Sequence, residues 1–497
     1  MNISWMLAAI IWTTVVVARS PDSPGVKTLK AFIETLNTND VPKMERFILT
    51  HFHDRTATMP EITARATRFM QLNSLGSPFT FGETLTDTPT LVVVTVKSAA
   101  GSDYEIKMSF AAEEPHLALS VYMGGPGSQS GPPSKHYTKW RDLNDLLGQI
   151  RTDTKVPAIC AAFFRDGTEQ SEVVGTRRLD RPEAAVISDR WLLGSITKSM
   201  TAMMVARLID RRILRWDTTI AEVLPNMQMR PEYRSVTVLQ LLRHRAGVVQ
   251  DLYVNPEFLA TAAGTSTDRV EMREHYTRFI LAREPIGKPG EQMRYSNAGY
   301  AVVSHLAEVA TQKSYEQLMT ELVFNPLKMT SAKFGVPGAA GNPGGKDQLM
   351  GYLDGKDGFE PYVLTEPRLS GTQAAAGAGL SMTLEDLLKF AKYNLEGLRG
   401  QVTLMGTENF NTLHRPADTS PGAQKYACGW VITDGLTREP FHGHDGSDGT
   451  FRAEMAIWPE KNLAIVAIAN AGSKTEPSPP LQAVVALYEK FDRDRKK

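Results

Sequence analysis

Between Gly124 and Ser134 the chain reads Gly-Gly-Pro-Gly-Ser-Gln-Ser-Gly-Pro-Pro-Ser, a run of small residues and breakers with no apolar periodicity. Glycine frees the backbone and proline removes an amide donor, so neither a helix nor a strand propagates through such a stretch. A chain of 497 residues is too long for one core. Residues 125–137 therefore act as a linker between two units, each of which must bury its own apolar faces. No internal repeat stands on either side.

On the N-terminal side, Leu29, Phe32, Ile33 and Leu36 recur at helical spacing. Asp40 and Pro42 form the cap and first turn of a second helix, with Met44, Phe47 and Ile48 facing in. A third helix runs from about Pro60 to Leu72, followed by strand-like runs at Phe79–Leu85, Leu91–Val96, Tyr104–Phe110 and Leu117–Met123. Helices followed by an antiparallel set of strands make residues 26–124 a small α+β domain, and the order of elements resembles the NTF2-like, cystatin-like fold. His51 and His53 lack a third ligand nearby, which fits a solvated helix end better than a metal site. Ahead of this domain, Trp5 to Ala18 is apolar but shorter than the roughly 20 residues that span a bilayer. Residues 1–18 read as a secretory signal cleaved after Ala18, which predicts an extracytoplasmic, periplasmic or secreted protein. No Lys or Arg precedes the run and Arg19 follows it, so an uncleaved membrane anchor stays open.

The larger unit, residues 138–490, begins with a helix at Lys139–Ile150 and a hairpin of strands Val156–Arg165 and Ser171–Arg177 around Asp166-Gly167. It ends with strands Tyr426–Thr433, Gly449–Trp458 and Leu463–Asn470 and a helix at Leu481–Phe491. The region between is largely helical. Strands at both ends and helices between them fit one antiparallel sheet joined by the two ends of the chain and flanked by helices, again α+β. The 55 basic and 55 acidic residues cancel, so no charge excess calls for nucleic acid. Cys160 and Cys428 make no disulfide framework. Each lies in a strand-like run, so they read as buried free thiols, with a bridge between them left open.

Chemistry enters at Ser195. The stretch Ser195–Asp210 has no Gly or Pro, and Ile196, Met200, Met203, Met204 and Leu208 form an apolar stripe, so Ser195 opens a helix and Lys198 stands about one turn on. A serine hydroxyl is a weak nucleophile until a base takes its proton, and a lysine pressed against it can do so or assist. Ser-x-x-Lys alone is a weak signal, since a surface serine and a solvated lysine meet at that spacing by chance. Downstream, however, come Tyr295-Ser296-Asn297 and then His444-Asp445-Gly446.

Ser-x-x-Lys, Tyr-x-Asn and Lys- or His-x-Gly, in that order, resemble the serine beta-lactamase and penicillin-binding-protein family, nearest its class C beta-lactamase-like esterases and D-stereospecific peptidases. Val238–Gly247 is similar to the family's Leu-Leu-x-His-Thr-Ser-Gly stretch, and Phe324–Met329 and Ala376–Leu387 also look like family landmarks. The resemblance implies a beta-lactamase-like catalytic domain with Ser195 as nucleophile. Lys198 and Tyr295 would shuttle its proton, and Asn297 would bridge Lys198 and the substrate. His444 stands where most members carry lysine. Gly446 lets substrate lie close to the strand, and the amides of Ser195 and Ser447 would form the oxyanion hole. Arg245-Ala246 replaces the usual Thr-Ser, and Asp445 is unusual at the centre of its motif.

Each motif has a rival. Tyr253-Val254-Asn255 also fits Tyr-x-Asn, but the Ala-Gly-Tyr helix follows Tyr295. Lys288-Pro289-Gly290 and Lys356-Asp357-Gly358 fit Lys-x-Gly, yet Pro289 has no amide hydrogen and Lys356 lies in a Gly-rich loop. A metal at His442, His444 and Asp445 is disfavoured because strand alternation turns Asp445 to the other face. No metal and no cofactor is expected. The sequence thus reads as an exported serine hydrolase that cleaves a carboxylic ester or a D-amino peptide or amide through an acyl-Ser195 intermediate, with beta-lactam hydrolysis as a side activity. The other reading is a catalytically weak or inactive binding or scaffold protein of the same fold. The intact Ser195, Lys198, Tyr295 and Asn297 set favours the enzyme. Its partner is a small-molecule substrate, with no nucleic acid and no membrane span beyond an uncleaved N-terminal anchor. Oligomeric state stays open.

Overall fold

Ser23 opens the first helix by accepting the Val26 amide hydrogen on its side chain, with Pro24 supplying the fixed φ of the first turn. The computed structural model describes residues 23–52, 59–70, 72–73, 77–88, 91–99, 101, 103–110, 117–124, 137–249, 258, 268–291, 293–337, 348–355, 358–362, 379–417, 425–433, 440–472 and 477–495. The chain divides into two compact units, residues 1–129 and 130–497. In the first, α1 (Pro24–Asn37), α2 (Val41–His51, capped by Asp40) and α3 (Met59–Met70) precede β1 (Phe79–Thr88), β2 (Leu91–Ser98), β3 (Asp103–Phe110) and β4 (Ala118–Gly124). The strands form one antiparallel sheet in sequence order. Val92, Val94, Val96, Ile106 and Met108 alternate inward onto Leu29, Phe32 and Leu36, so a single core joins helices and sheet.

The second unit is built on a seven-stranded sheet. Its elements in chain order are α4 (Leu143–Thr154), β5 (Ala158–Arg165), β6 (Thr168–Gly175), α5 (Thr197–Asp210), α6 (Arg269–Leu281), α7 (Asn297–Thr311), α8 (Leu384–Leu398), β7 (Lys425–Tyr426), β8 (Val431–Thr433), β9 (Phe441–Ser447), β10 (Arg452–Trp458), β11 (Leu463–Ala469) and α9 (Pro479–Arg495). The strand order is β7-β8-β9-β10-β11-β5-β6, antiparallel throughout. Cys160 of β5 pairs with Ile468 of β11, so the two ends of the unit close the sheet between them, as the sequence predicts. Both faces are apolar because both are covered. Ile159, Ala161, Ile465 and Ala467 pack with Leu146 and Ile150 of α4 and Leu487 of α9. The alternate residues Cys160, Ala162, Val466 and Ile468 share the opposite core with Met200 of α5 and Leu387 of α8.

Several expectations need correction. β9 is a C-terminal strand beyond the three expected. Its two glycines, two histidines and an aspartate carry no period-two apolar signal, so the sequence reading names only three. The expected strand Tyr426–Thr433 is broken at Gly429, whose φ is +76° and where any Cβ would meet the backbone of Lys198 and Ser199. β10 starts at Arg452 rather than Gly449 because Asp448 gathers the amides of Thr450 and Phe451 into a turn. The centre is less helical than expected, with one-turn helices at Ile220–Val223 and Val238–Leu242 before α6. Cys160 and Cys428 are buried free thiols, which closes the bridge alternative. Residues 1–18, the linker up to Ser134, His53, Tyr253, Asn255 and Lys356 lie outside the described residues. No described helix is long and apolar enough to cross a membrane.

Candidate active site

Trp191 and Leu192 pair with Met382 and Ser381, and Gly194, at φ +51°, then turns the chain sharply into α5. The sequence reading starts the helix at Ser195. In the structure Gly194–Ile196 is a 3-10 turn and the α-helix begins at Thr197. Ser195 is half-buried at that turn, and Lys198 is wholly buried beneath it, its Nζ donating to Ser195 Oγ at 2.9 Å. The rings of Tyr295 and Tyr300 cover the ammonium, with centroids 5.0 and 5.6 Å away.

Tyr295 arrives from another direction. Ser296 caps α7, accepting the Gly299 amide at 3.0 Å and donating to the Val249 carbonyl at 2.6 Å. That cap fixes the preceding residue, and the Tyr295 hydroxyl donates to Ser195 Oγ at 2.8 Å. Burial chiefly, and the Asp445 charge in addition, hold the phenol well above its usual pKa, so it stands protonated. Asn297 follows at the first turn of α7, half-buried.

The third segment is β9, which lies flush against the nucleophile turn. A Cβ on Gly446 would collide with the Leu193 carbonyl oxygen and stand 2.8 Å from Ser195 N; one on Gly194 would collide with Ser447 N. The amides of Ser195 and Ser447 therefore belong to two backbone segments in contact, and the Ser447 hydroxyl is occupied by donating to the Phe451 carbonyl at 2.7 Å. His444 is 5% exposed, with Nδ1 2.6 Å from the Asp445 carbonyl oxygen and Nε2 3.2 Å from the Tyr426 hydroxyl. Burial, with some repulsion from Lys198, lowers its pKa below the usual histidine value. Asp445 is exposed, as strand alternation predicts. Ser195, Lys198, Tyr295, His444, Gly446 and Ser447 thus come together from the nucleophile turn and α5, the segment ahead of α7 and β9, with Asn297 two residues beyond Tyr295 in the first turn of α7.

The rivals fall elsewhere. Lys288 is exposed and paired with Glu291 at 2.6 Å. His442 turns to His414, Nδ1 to Nδ1 at 3.2 Å, while His444 turns to Tyr426. Among the described residues no group of three potential ligands could hold a metal. His51 packs on Phe47, ring centroids 4.6 Å apart.

Sequence reasoning missed three supporting residues. His244 accepts the Ser296 amide on Nδ1 at 3.1 Å and lies against the Tyr295 ring at 4.3 Å between centroids. Burial, Lys198 and His444 together depress its pKa far below the usual value, so it is neutral. Tyr426 touches the rings of His244, Tyr295 and His444. Gly429 accepts the Ser199 hydroxyl at 2.6 Å at the back of α5. His244 lies inside the family-like Leu-Leu-x-His stretch, which was a usable signal; Tyr426 and Gly429 read only as parts of a strand. The unusual Arg245 holds the turn ahead of Tyr295, donating to the Glu291 carbonyl at 3.1 Å while its own carbonyl accepts from Gly290 at 2.7 Å.

A family model described as Beta-lactamase matches residues 143–489. Penicillin-binding protein 4 of Amycolatopsis lactamdurans is 25% identical over 351 residues, 68% of this chain and 86% of that protein. The solved structure of the octameric penicillin-binding protein homologue from Pyrococcus abyssi superposes with a TM-score of 0.58 at 25% identity, covering 70% of this chain and 77% of the other. A D-stereospecific amidohydrolase from Streptomyces sp. shares the fold, with a TM-score of 0.53 at 19% identity over 69% of this chain and 97% of the other. The family match leaves residues 23–124 outside it, so their NTF2-like likeness rests on element order alone.

Proposed function

The chain belongs to the beta-lactamase family, whose members are serine acyl-transferases and hydrolases, and on that premise we propose that it cleaves a carboxylic ester or a D-amino peptide or amide through an acyl-Ser195 intermediate, with beta-lactam hydrolysis as a side activity. The observation that carries this reading is the convergence of Lys198 Nζ and the Tyr295 hydroxyl on Ser195 Oγ, at 2.9 and 2.8 Å. A phenol held above its ordinary range is no standing base. In acylation Tyr295, held beside the Lys198 ammonium, gives its proton to the leaving group as it takes that of Ser195, whose Oγ bonds to the carbonyl carbon. In deacylation Tyr295 takes a proton from the attacking water as it returns one to Oγ and the acyl bond breaks. The amides of Ser195 and Ser447 stabilise the oxyanion in both steps. Asn297 orients the substrate amide or ester. Export rests on residues 5–18 of the sequence alone.

A neutral His444 with Asp445 beside it supports a preference for uncharged substrates, where a lysine would attract a carboxylate. The test is intact-mass analysis after incubation with short-chain aryl esters, D-amino amides and penicillin, on wild type and Ser195→Ala. One acyl adduct on wild type and none on the variant is expected. Absence of any adduct with the whole panel, or an adduct that survives Ser195→Ala, overturns the proposal.

A further inference from the structure

The two ring nitrogens of His444 can be assigned from their partners. A carbonyl oxygen only accepts, so the 2.6 Å contact to Asp445 requires the hydrogen on Nδ1. In a neutral ring Nε2 then carries a lone pair, and the Tyr426 hydroxyl 3.2 Å away shares its one hydrogen between it and the Tyr300 hydroxyl, which itself donates to the Leu242 carbonyl. The ring is almost fully buried and stands 5.8 Å from that of Tyr426 at an angle of 85°, an edge-to-face packing that fixes it.

We propose that Tyr426 is the positioning residue that fixes the chemistry of the third motif: with the Asp445 carbonyl it occupies both nitrogens of His444, so that this ring offers substrate neither a cation nor a free donor. The proposal rests on the acyl-Ser195 reading and narrows its substrate class to those whose recognised group is uncharged.

The groups around His444 agree with a neutral ring. Lys198 of α5 repels a proton there, and burial opposes one. His244, from the loop after Val238–Leu242, is itself uncharged, and Tyr295 is protonated. Across the ladder from His444, β10 offers the buried Met455. Asp445 favours the protonated form, through its solvent-facing carboxylate and through the carbonyl that accepts from Nδ1. The Tyr426 hydroxyl adds to the opposing side, because it bonds the lone pair that protonation would consume.

Tyr426→Phe keeps the ring packing and removes only the hydroxyl, so Nε2 becomes open to protonation as pH falls. Two measurements on wild type and Tyr426→Phe decide the matter. Histidine-resolved nitrogen NMR from pH 5 to 8 reads the tautomer and titration of His444 whether or not a substrate is turned over. The expected wild-type result is the Nδ1–H tautomer without titration in the physiological range; in Tyr426→Phe the titration should move up toward the ordinary value. The second is kcat/KM for a carboxylate-bearing substrate divided by that for its methyl ester. The ratio should stay flat in wild type. In the variant it should rise about tenfold between pH 7.5 and 5.5, the effect of a unit charge some 10 Å away at an effective dielectric near 20. A merely structural role would depress both substrates alike at every pH. A hydrogen on Nε2 in wild type, or a Tyr426→Phe titration and ratio that match wild type, overturns the proposal. If wild type turns over neither substrate, the acyl-Ser195 reading fails, and the NMR result still decides the role of Tyr426. The wild-type tautomer does so even if Tyr426→Phe does not fold.

Discussion

Gly446→Ala probes the backbone contact on which the proposed oxyanion hole depends. The added Cβ would overlap the Leu193 carbonyl oxygen and stand 2.8 Å from Ser195 N and 3.0 Å from the Leu193 carbonyl carbon. All three atoms are backbone, so no side chain can swing away. To regain an ordinary separation of about 3.5–4 Å, β9 and the nucleophile turn must part by on the order of 1 Å. A displacement of that size between reacting groups costs about 10²-fold in rate, and losing one oxyanion donor costs about 10²–10³ in kcat, some 2.7–4 kcal/mol. Overpacking adds about 1–3 kcal/mol of lost stability, which leaves the fold in place. Gly148→Ala is the control: it lies in α4, a Cβ there meets nothing within 4 Å, and a mid-helix Gly-to-Ala change should stabilise by roughly 0.5–1 kcal/mol. The assay is the rate of phosphonate labelling of Ser195 and kcat for an aryl ester, with thermal unfolding alongside. A folded Gly446→Ala protein within threefold of wild type in both rates would refute the reasoning.

Three further outcomes follow from the same geometry. Tyr295→Phe removes the proton carried to the leaving group and should slow acylation by about 10²–10⁴-fold with little change in binding; stopped-flow acylation checks it, and a nearly silent variant moves the role elsewhere. Arg273 is fully buried between Glu308 and Glu316, bonding them at 2.6 and 2.8 Å. Arg273→Leu should cost about 3–5 kcal/mol by leaving the buried Glu308 carboxylate without its guanidinium, with only the Tyr315 amide and His305 beside it, and Arg273→Leu with Glu308→Gln should recover part of it in urea unfolding; an unshifted midpoint for the single variant argues against it. His244, His414 and His442 are uncharged when folded, with pKa values below 6.5, about 4 for His442, chiefly through burial. The unfolded chain binds these protons near pH 6.5 and the folded one does not, so their stabilisation is complete above that pH. It is lost as pH falls toward the folded values, by up to about 1.4 kcal/mol per pH unit for each group. Urea midpoints at pH 7.5 and 5.5 test the sign, and equal values contradict it.

The parts of this architecture that are legible in the sequence are those encoded locally. Apolar spacing marks the inward face of α1, Asp40 and Pro42 mark the start of α2, and the division between the two compact units falls within the breaker-rich stretch after Gly124. Ser195, Lys198, Tyr295 and His444 could be singled out because the family resemblance attaches proposed roles to residue types at fixed spacings, and the fold brings these four near one another. What was not legible is the set of close approaches between segments far apart in the chain. Gly429 looks like any strand glycine until Lys198, over 200 residues earlier, is found against it. Tyr426 has no local pattern that distinguishes it from a core tyrosine, since its partners His244, Tyr295 and His444 come from three other segments. β9 escaped for a related reason: its glycines serve the contact with Ser195, and that function erases the alternation by which a strand is recognised.

The same close approaches bear on how the Ser195 proton moves in the proposed mechanism. Lys198 Nζ and the Tyr295 hydroxyl share Oγ as a partner, at 2.9 and 2.8 Å, so they are less than 6 Å apart. At rest Tyr295 is protonated and uncharged. As its proton leaves, negative charge develops on its oxygen, and an ammonium at that separation attracts a full phenolate by about 3 kcal/mol at an effective dielectric near 20, worth roughly 10² in rate. An attraction that is absent in the ground state and grows as charge moves stabilises the transition state selectively, which is the only kind of interaction that accelerates the chemical step.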